Sequence, residues 1–290
     1  MAQVTRTAHA CDDDRQPPVS VLLTVYGNDD PDHVDAALES IFDQTLEPAE
    51  LVVVKDGPVD APLDRTIERW ADEYPTVVTV VTLEENCGLG TALQIGLEYC
   101  SYELVARMDA DDIAVPERLE MQVEFLRENP DVDVLGGYVA EFDHDPECPN
   151  GVRTVPCGSS SIARCAPYKC PLNHPTVMFR KSSILDAGSY SSRRCMQDYE
   201  LWMRLLDRGY TIANLPEVLV NARAGEEFYT RRGGLEYAKT EARLQWQFRR
   251  RRYIGTPTFL VNLLFRLPIR LAPKRLRGAV YSRVLRDSSS

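Results

Sequence analysis

Five short apolar runs punctuate the first 137 residues, and four segments with helical spacing lie between them. The runs are VSVLLTV (19–25), LVVV (51–54), VVTVVTL (77–83), ELVARM (103–108) and VDVLGG (132–137). They show no strict polar alternation, as expected of strands covered on both faces. After the first, Asp30 is predicted as an N-cap with Pro31 at the first helical position. Val34, Ala37, Leu38 and Ile41 then recur at i, i+3, i+4 and i+7. Leu63, Ile67, Trp70 and Tyr74 mark the next helical face, NCGLG opens a helix reaching about Cys100, and Pro116 opens one carrying Leu119, Val123 and Leu126. Strand–helix alternation at this pace predicts an α/β fold of Rossmann-like, doubly wound type with a mainly parallel sheet. Ligands of such sheets bind at the carboxyl ends of the strands. Asp56, Asn86 and Asp109 follow strands directly and are predicted to gather along one rim.

Past Gly137 the pattern loosens. Residues 143–173 are rich in Pro, Cys, Gly and Ser and predict an irregular loop region. HPTVMF (174–179) reads as a strand, and CMQDYELWMRLLDRG (195–209) as a helix ended by Gly209. None of the eight cysteines forms a CxxC pair, and the spacing of Cys148, Cys157, Cys165 and Cys170 matches no zinc module, so reduced thiols are expected. Residues 1–18 read as a disordered arm without the apolar segment of a signal peptide, and no run of about 18 apolar residues predicts a bilayer span. A cytoplasmic protein follows from both.

Behind the fourth run the chain reads ARMDADDIAVPERL, with Asp109, Asp111 and Asp112 inside four positions. Three like charges repel, so they either seat a hard cation such as Mg²⁺ or Mn²⁺ or form an acidic turn, with Asp112 capping the next helix. Asp56 in VVVKDGP either accepts hydrogen bonds from a base or ribose or is an ordinary turn residue before Gly57. Asn86 and the glycines of NCGLG either let backbone approach a nucleotide or make a plain strand-to-helix turn. G-x-G-x-x-G and a Walker Lys-Ser/Thr are both missing, which leaves dinucleotide and P-loop binding unsupported.

As an ordered set, VSVLLTVYGNDD, the Asp56 strand end, ENCGLGTALQIGLEYC, ARMDADD and QDYELWMRL resemble the family 2 glycosyltransferases of GT-A fold across residues 19–225. The resemblance implies transfer of a sugar from a nucleotide-sugar donor to a saccharide or polyprenyl-linked acceptor, with inversion and with Mn²⁺ or Mg²⁺. On the matching positions it implies Thr24, Val25, Tyr26 and Asp56 at the base and ribose, with Asn86 beside the nucleotide. Arg107 and Asp109 would border the nucleotide, Asp109 and Asp111 would hold the metal on the diphosphate, and Asp198 would be the base. Family members often carry Glu-Asp where this chain has Gln197–Asp198, which leaves the base intact and puts in question the acceptor contact of the glutamate. His174, in NHPTVMFR, would face the acceptor, act as an extra metal ligand, or simply be hydrogen-bonded at a strand entry. Trp202 would stack on a sugar, or pack in the core with Leu201 and Leu205 at helical spacing. Arg231 and Arg232 would reach the diphosphate or lie in solvent.

Charge divides the chain. From Arg243 onward there are 12 basic residues and one acidic, Asp287, whereas the whole carries −11, so residues 1–242 carry −22. An acidic body argues against nucleic acid as a partner. The segment 226–290 reads as a basic helical extension, suited either to an anionic membrane surface or to packing on the domain with its arginines in water. Three rivals to the transferase are a synthase that loads sugar onto polyprenyl phosphate, a nucleotidyltransferase that would release pyrophosphate, and a catalytically silent nucleotide-sugar-binding module.

Overall fold

A computed structural model describes residues 16–224 and 233–272. Along the chain run β1 (Val19–Val25), α1 (Pro31–Phe42), β2 (Glu50–Lys55), α2 (Ala61–Glu73), β3 (Val78–Thr82), α3 (Leu89–Tyr99), β4 (Leu104–Asp109) and β5 (Ile113–Ala114). Then come α4 (Arg118–Glu128), β6 (Val134–Phe142), β7 (Gly151–Arg153), α5 (Ser159–Cys165), a 3-10 turn (His174–Thr176), β8 (Met178–Arg180), α6 (Lys181–Asp186) and α7 (Gln197–Asp207). The described chain closes with β9 (Ile212–Arg223), α8 (Leu235–Arg250) and α9 (Thr256–Leu271).

The apolar runs become strands because both of their faces are covered. Along β1, Val21, Leu23 and Val25 pack with Val34, Leu38 and Ile41 of α1, Leu63 and Ile67 of α2, and Leu119 of α4. Leu22 points the other way, with Leu93 and Leu97 of α3 and Leu201, Trp202 and Leu205 of α7. Each such side chain contributes about 1.5–3 kcal/mol when fully buried. The helix signals hold: Asp30 caps α1 by accepting from the Asp32 N–H at 2.9 Å, with Pro31 in its first turn.

The sheet runs β3-β2-β1-β4-β8-β6-β9-β5, with β7 on β6. Its first four strands are parallel, as predicted. Beyond β4, β8 is inserted antiparallel between β4 and β6. HPTVMF contributes only its end to that strand. Pro175 cannot donate to a ladder, and Thr176 turns its hydroxyl onto Asn173 O at 2.8 Å, so His174–Thr176 closes as a 3-10 turn. The loop predicted at 143–173 carries two short elements, β7 and α5. The described cysteines are free. Most of the predicted N-terminal arm, Arg231 and Arg232, and the chain beyond residue 272 lie outside the described residues.

α8 and α9 form a hairpin on α7. Phe248 meets Tyr199 edge to face with centroids 5.1 Å apart, and Leu244 and Ile254 fill in around them. The hairpin is closed by Glu241, fully buried on α8, which is ion-paired to both Arg266 and Arg270 of α9.

Candidate active site

Strand register builds the rim. β1 and β4 lie side by side so that Leu22 pairs with Arg107 and Thr24 with Asp109. On the other side Val25 pairs with Lys55, which sets Asp56 just past the end of β2, and the Asp56 N–H donates to Val25 O at 2.7 Å. Val25, expected to touch the base or ribose, has its side chain in the core, so only its backbone reaches the rim. Tyr26 is half-buried, and its N–H donates to Asp29 Oδ2 at 2.9 Å in a tight turn.

Asp56 is nearly fully buried, and its carboxylate is spent partly on the chain itself. Oδ1 accepts from the Cys87 N–H at 2.7 Å and Oδ2 from the Gly88 N–H at 2.9 Å. The exposed Asn86 completes the clasp by donating from Nδ2 to Asp56 O at 3.2 Å. Gly88 can present its N–H this way because its φ is +87°, a left-handed value that favours glycine. A carboxylate has about four acceptor sites, so both oxygens retain a lone pair for a ligand.

Arg107 and Asp109 make a two-pronged pair, with Nη1–Oδ2 at 2.7 Å and Nη2 also on Oδ1. Burial works against the charge of Arg107, and Asp109, with Tyr190 and Asp112 behind it, more than restores it. Beneath them Arg118 donates from Nη2 to Arg107 O at 2.7 Å, its own affinity for a proton lowered to about 9 by burial and by Arg107. The three aspartates have separate fates. Asp111 is exposed. Asp112 is buried and accepts the Arg223 N–H at 3.0 Å, tying β5 to β9 rather than capping α4, whose N-cap Glu117 makes no side-chain cap bond. Burial, then Asp109 and Asp111, push the Asp112 carboxyl well above the usual range.

Across the rim, residues 189–197 bring in α7. Ser189 and Met196 both have left-handed backbone, φ 56° and 60°, an arrangement that costs on the order of 1–3 kcal/mol each. The segment presses against the start of α3: a Cβ on Gly90 would stand 2.1 Å from Ser191 O. The start of α3, just past the Asn86–Gly88 turn, is therefore packed against the segment that leads into the helix bearing Asp198. Asp198 is half-buried in the first turn of α7, where the helix dipole favours a carboxylate. Cys170 Sγ lies 3.9 Å from its Oδ2; burial and then Asp198 push this thiol well up, so it stays protonated. Gln197 is buried with no hydrogen-bond partner at its amide oxygen.

Tyr190, which carried no periodic signal, joins the two halves. Its hydroxyl lies 3.1 Å from His174 Nε2. Its affinity for its proton is raised by burial, lowered by Arg107 and raised by both Asp198 and Asp109, so it sits within electrostatic reach of both ends of the site. The His174 ring is half-buried and neutral, held well below the usual imidazole range by burial and then by Arg107. Trp202 is wholly buried, with His174 at its edge, so its ring is closed to a sugar and the stacking reading is corrected to core packing.

The family model for Glycosyl transferase family 2 matches residues 20–188. The chain belongs to that family. This glycosyltransferase is 41% identical over 253 residues to the amylovoran biosynthesis glycosyltransferase AmsE of Erwinia amylovora, covering 86% of this chain and 93% of that one. It is 37% identical over 273 residues to the Escherichia coli UDP-Gal:alpha-D-GlcNAc-diphosphoundecaprenol beta-1,3-galactosyltransferase, covering 94% and 98%. Its fold matches the mannosyltransferase PcManGT from Pyrobaculum calidifontis, solved with GDP-Man and Mn²⁺, at TM-score 0.63 and 19% identity over 95% of this chain and 78% of that one. The fold is GT-A, and the catalytically silent binding module is set aside.

For a glycosyltransferase of this family, divalent metal use asks whether the residues suit a cation. Among the described residues no three His, Cys, Asp or Glu side chains gather to hold one alone. Mg²⁺ is ordinarily held by one or two carboxylates together with substrate phosphates, and the exposed Asp111 suits that role. Asp109 suits it less directly, because Arg107 engages both of its oxygens.

Proposed function

We propose that the protein is an inverting, metal-dependent transferase that moves a sugar from a nucleoside-diphosphate donor to a saccharide or polyprenyl-linked acceptor in surface-glycan synthesis. The observation that supports it most is the close approach of Gly90, two residues past the Asp56–Gly88 clasp, to Ser191 in the segment that leads into the helix bearing Asp198. Asp56 and the Asn86–Gly88 backbone hold the base and ribose, with Thr24 and Tyr26 bordering them. Arg107 keeps Asp109 fixed at the diphosphate. Asp111 holds the cation, which when bound stabilises charge on the departing phosphate oxygen. Asp198 accepts the proton of the acceptor hydroxyl as that oxygen attacks the anomeric carbon from the opposite side, work that contributes about 10²- to 10⁴-fold. Gln197, with an unpartnered buried amide oxygen, and His174 are assigned to the acceptor.

The E. coli relative, by its name, takes UDP-Gal and a diphosphoundecaprenol-linked GlcNAc. We infer the same class for this chain, a uridine-diphosphate sugar and a diphosphopolyprenyl acceptor, used at the cytoplasmic face of a membrane with anionic lipid. No described helix is long and apolar enough to cross that membrane. A panel of nucleotide sugars with Mn²⁺ or Mg²⁺, read by thermal shift, tests the donor. Binding raises the melting temperature by mass action, and a panel without any shift overturns the proposal.

A further inference from the structure

Helix α9 is amphipathic with its polar side turned inward. Asn262 is its one buried residue and donates from Nδ2 to Pro167 O and Gln245 Oε1, each at 2.8 Å. Four residues on, Arg266 pairs with Glu241 and donates to Tyr168 O at 2.5 Å. Four further, Arg270 Nε donates to Glu241 Oε2 at 2.5 Å. This i, i+4, i+8 stripe spends the helix's charge on the protein. The opposite face is apolar and, among the described residues, uncovered: Leu260, Val261, Leu264, Phe265 and Leu271 are 42–69% exposed. At 100° per residue these five fall within an arc of about 140°. Trp246 of α8, itself 60% exposed, leans on Phe259 at the start of α9, with ring centroids 5.9 Å apart. Arg243, Arg250 and Arg252 are exposed on the same hairpin.

A helix whose only neighbour was water would turn its arginines out and its leucines in. The charge around the face identifies the occupant. With Arg266 and Arg270 spent on Glu241, the exposed arginines of the described hairpin include Arg243, Arg250 and Arg252, a basic rim beside the apolar arc. A second copy docked by a two-fold axis would set one basic rim against another. An anionic lipid surface complements both the rim and the apolar arc. We propose that the outward face of α9, with Trp246, seats in the headgroup region of an anionic bilayer, its leucines and Phe265 at the acyl boundary and the exposed arginines on lipid phosphates. This deepens the membrane part of the proposed function, and its test does not depend on catalysis. Because Phe248 of α8 packs on Tyr199, next to Asp198, such seating would fix the base-bearing helix relative to the surface from which a polyprenyl acceptor emerges.

The test is co-sedimentation of the full chain with phosphatidylglycerol-containing vesicles and with phosphatidylcholine vesicles, for the wild type and for Leu264→Glu/Phe265→Glu. Both positions are mostly exposed, so the variant keeps its fold. The wild type should bind the anionic vesicles preferentially, with a blue shift of Trp emission, and the double variant should bind them about tenfold more weakly or worse. Three results overturn the inference: no binding to anionic vesicles, equal binding by the variant, or a wild-type dimer that the variant converts to monomer while vesicle binding persists. Nucleoside diphosphate release measured without vesicles should be the same in both proteins. Its absence alongside intact vesicle binding would remove the proposed reaction and leave this inference standing.

Discussion

Replacing Asp56 by alanine probes the clasp on which the proposed donor site rests. The substitution deletes the acceptors of two backbone N–H groups, on Cys87 at 2.7 Å and Gly88 at 2.9 Å. An unsatisfied buried donor costs about 1–3 kcal/mol. Cys87 lies at the surface, where water can replace part of what is lost, so the total comes to about 2 kcal/mol. For a chain of 290 residues that corresponds to a fall of about 3 °C in melting temperature. Asp56→Asn keeps one acceptor oxygen and should fall by about half as much, with nucleotide affinity weakened in both. The measurement is thermal unfolding of the three proteins with and without a nucleotide sugar. An alanine variant that melts within a degree of wild type and binds the nucleotide normally would show that neither the clasp nor the donor leans on this carboxylate.

Gly90→Ala drives a Cβ into Ser191 O and should cost about 1–3 kcal/mol while reducing transfer, because donor turn and base segment shift together; normal activity and melting would refute the contact. Glu241→Ala strands two arginines at the α8–α9 junction and should destabilise by about 3–5 kcal/mol in denaturant unfolding, whereas a loss under 1 kcal/mol would mean the pairs are idle. His174 is held neutral in the fold, well below the 6.5 of a free imidazole. Between those values the unfolded chain takes up a proton and the folded chain does not, so this contribution is present above about pH 6.5 and is lost as the pH falls towards the folded value. Melting temperature should therefore drop more steeply from pH 8 to 5 in wild type than in His174→Gln, and equal slopes would contradict the assignment.

The parallel half of the sheet was legible because its strands are short continuous apolar runs separated by segments of helical spacing, with a start signal for the first helix at Asp30–Pro31. Two rim residues followed from position alone: Asp56 and Asp109 stand where β2 and β4 end, whereas Asn86 lies four residues past the end of β3. What escaped has no period. Tyr190 lies in the irregular AGSYSSRRC, and its role depends on contacts made far along the chain with His174. Composition could not say that Val25 turns inward, that Trp202 is sealed, or that Asp112 serves β9, because all three depend on register and facing. The C-terminal arginines were visible as charge, but their inward stripe on α9 emerged only once Glu241 was placed opposite them.

The most direct measurement compares Asp198→Asn with wild type in two assays on the same samples: calorimetric titration with UDP-galactose and Mn²⁺, and UDP release in the presence of a diphospholipid-linked GlcNAc acceptor. The account predicts unchanged donor affinity and a transfer rate lower by about 10²- to 10⁴-fold. Undiminished transfer, or donor binding lost together with it, would contradict the assignment of Asp198 as the base that opens the acceptor hydroxyl.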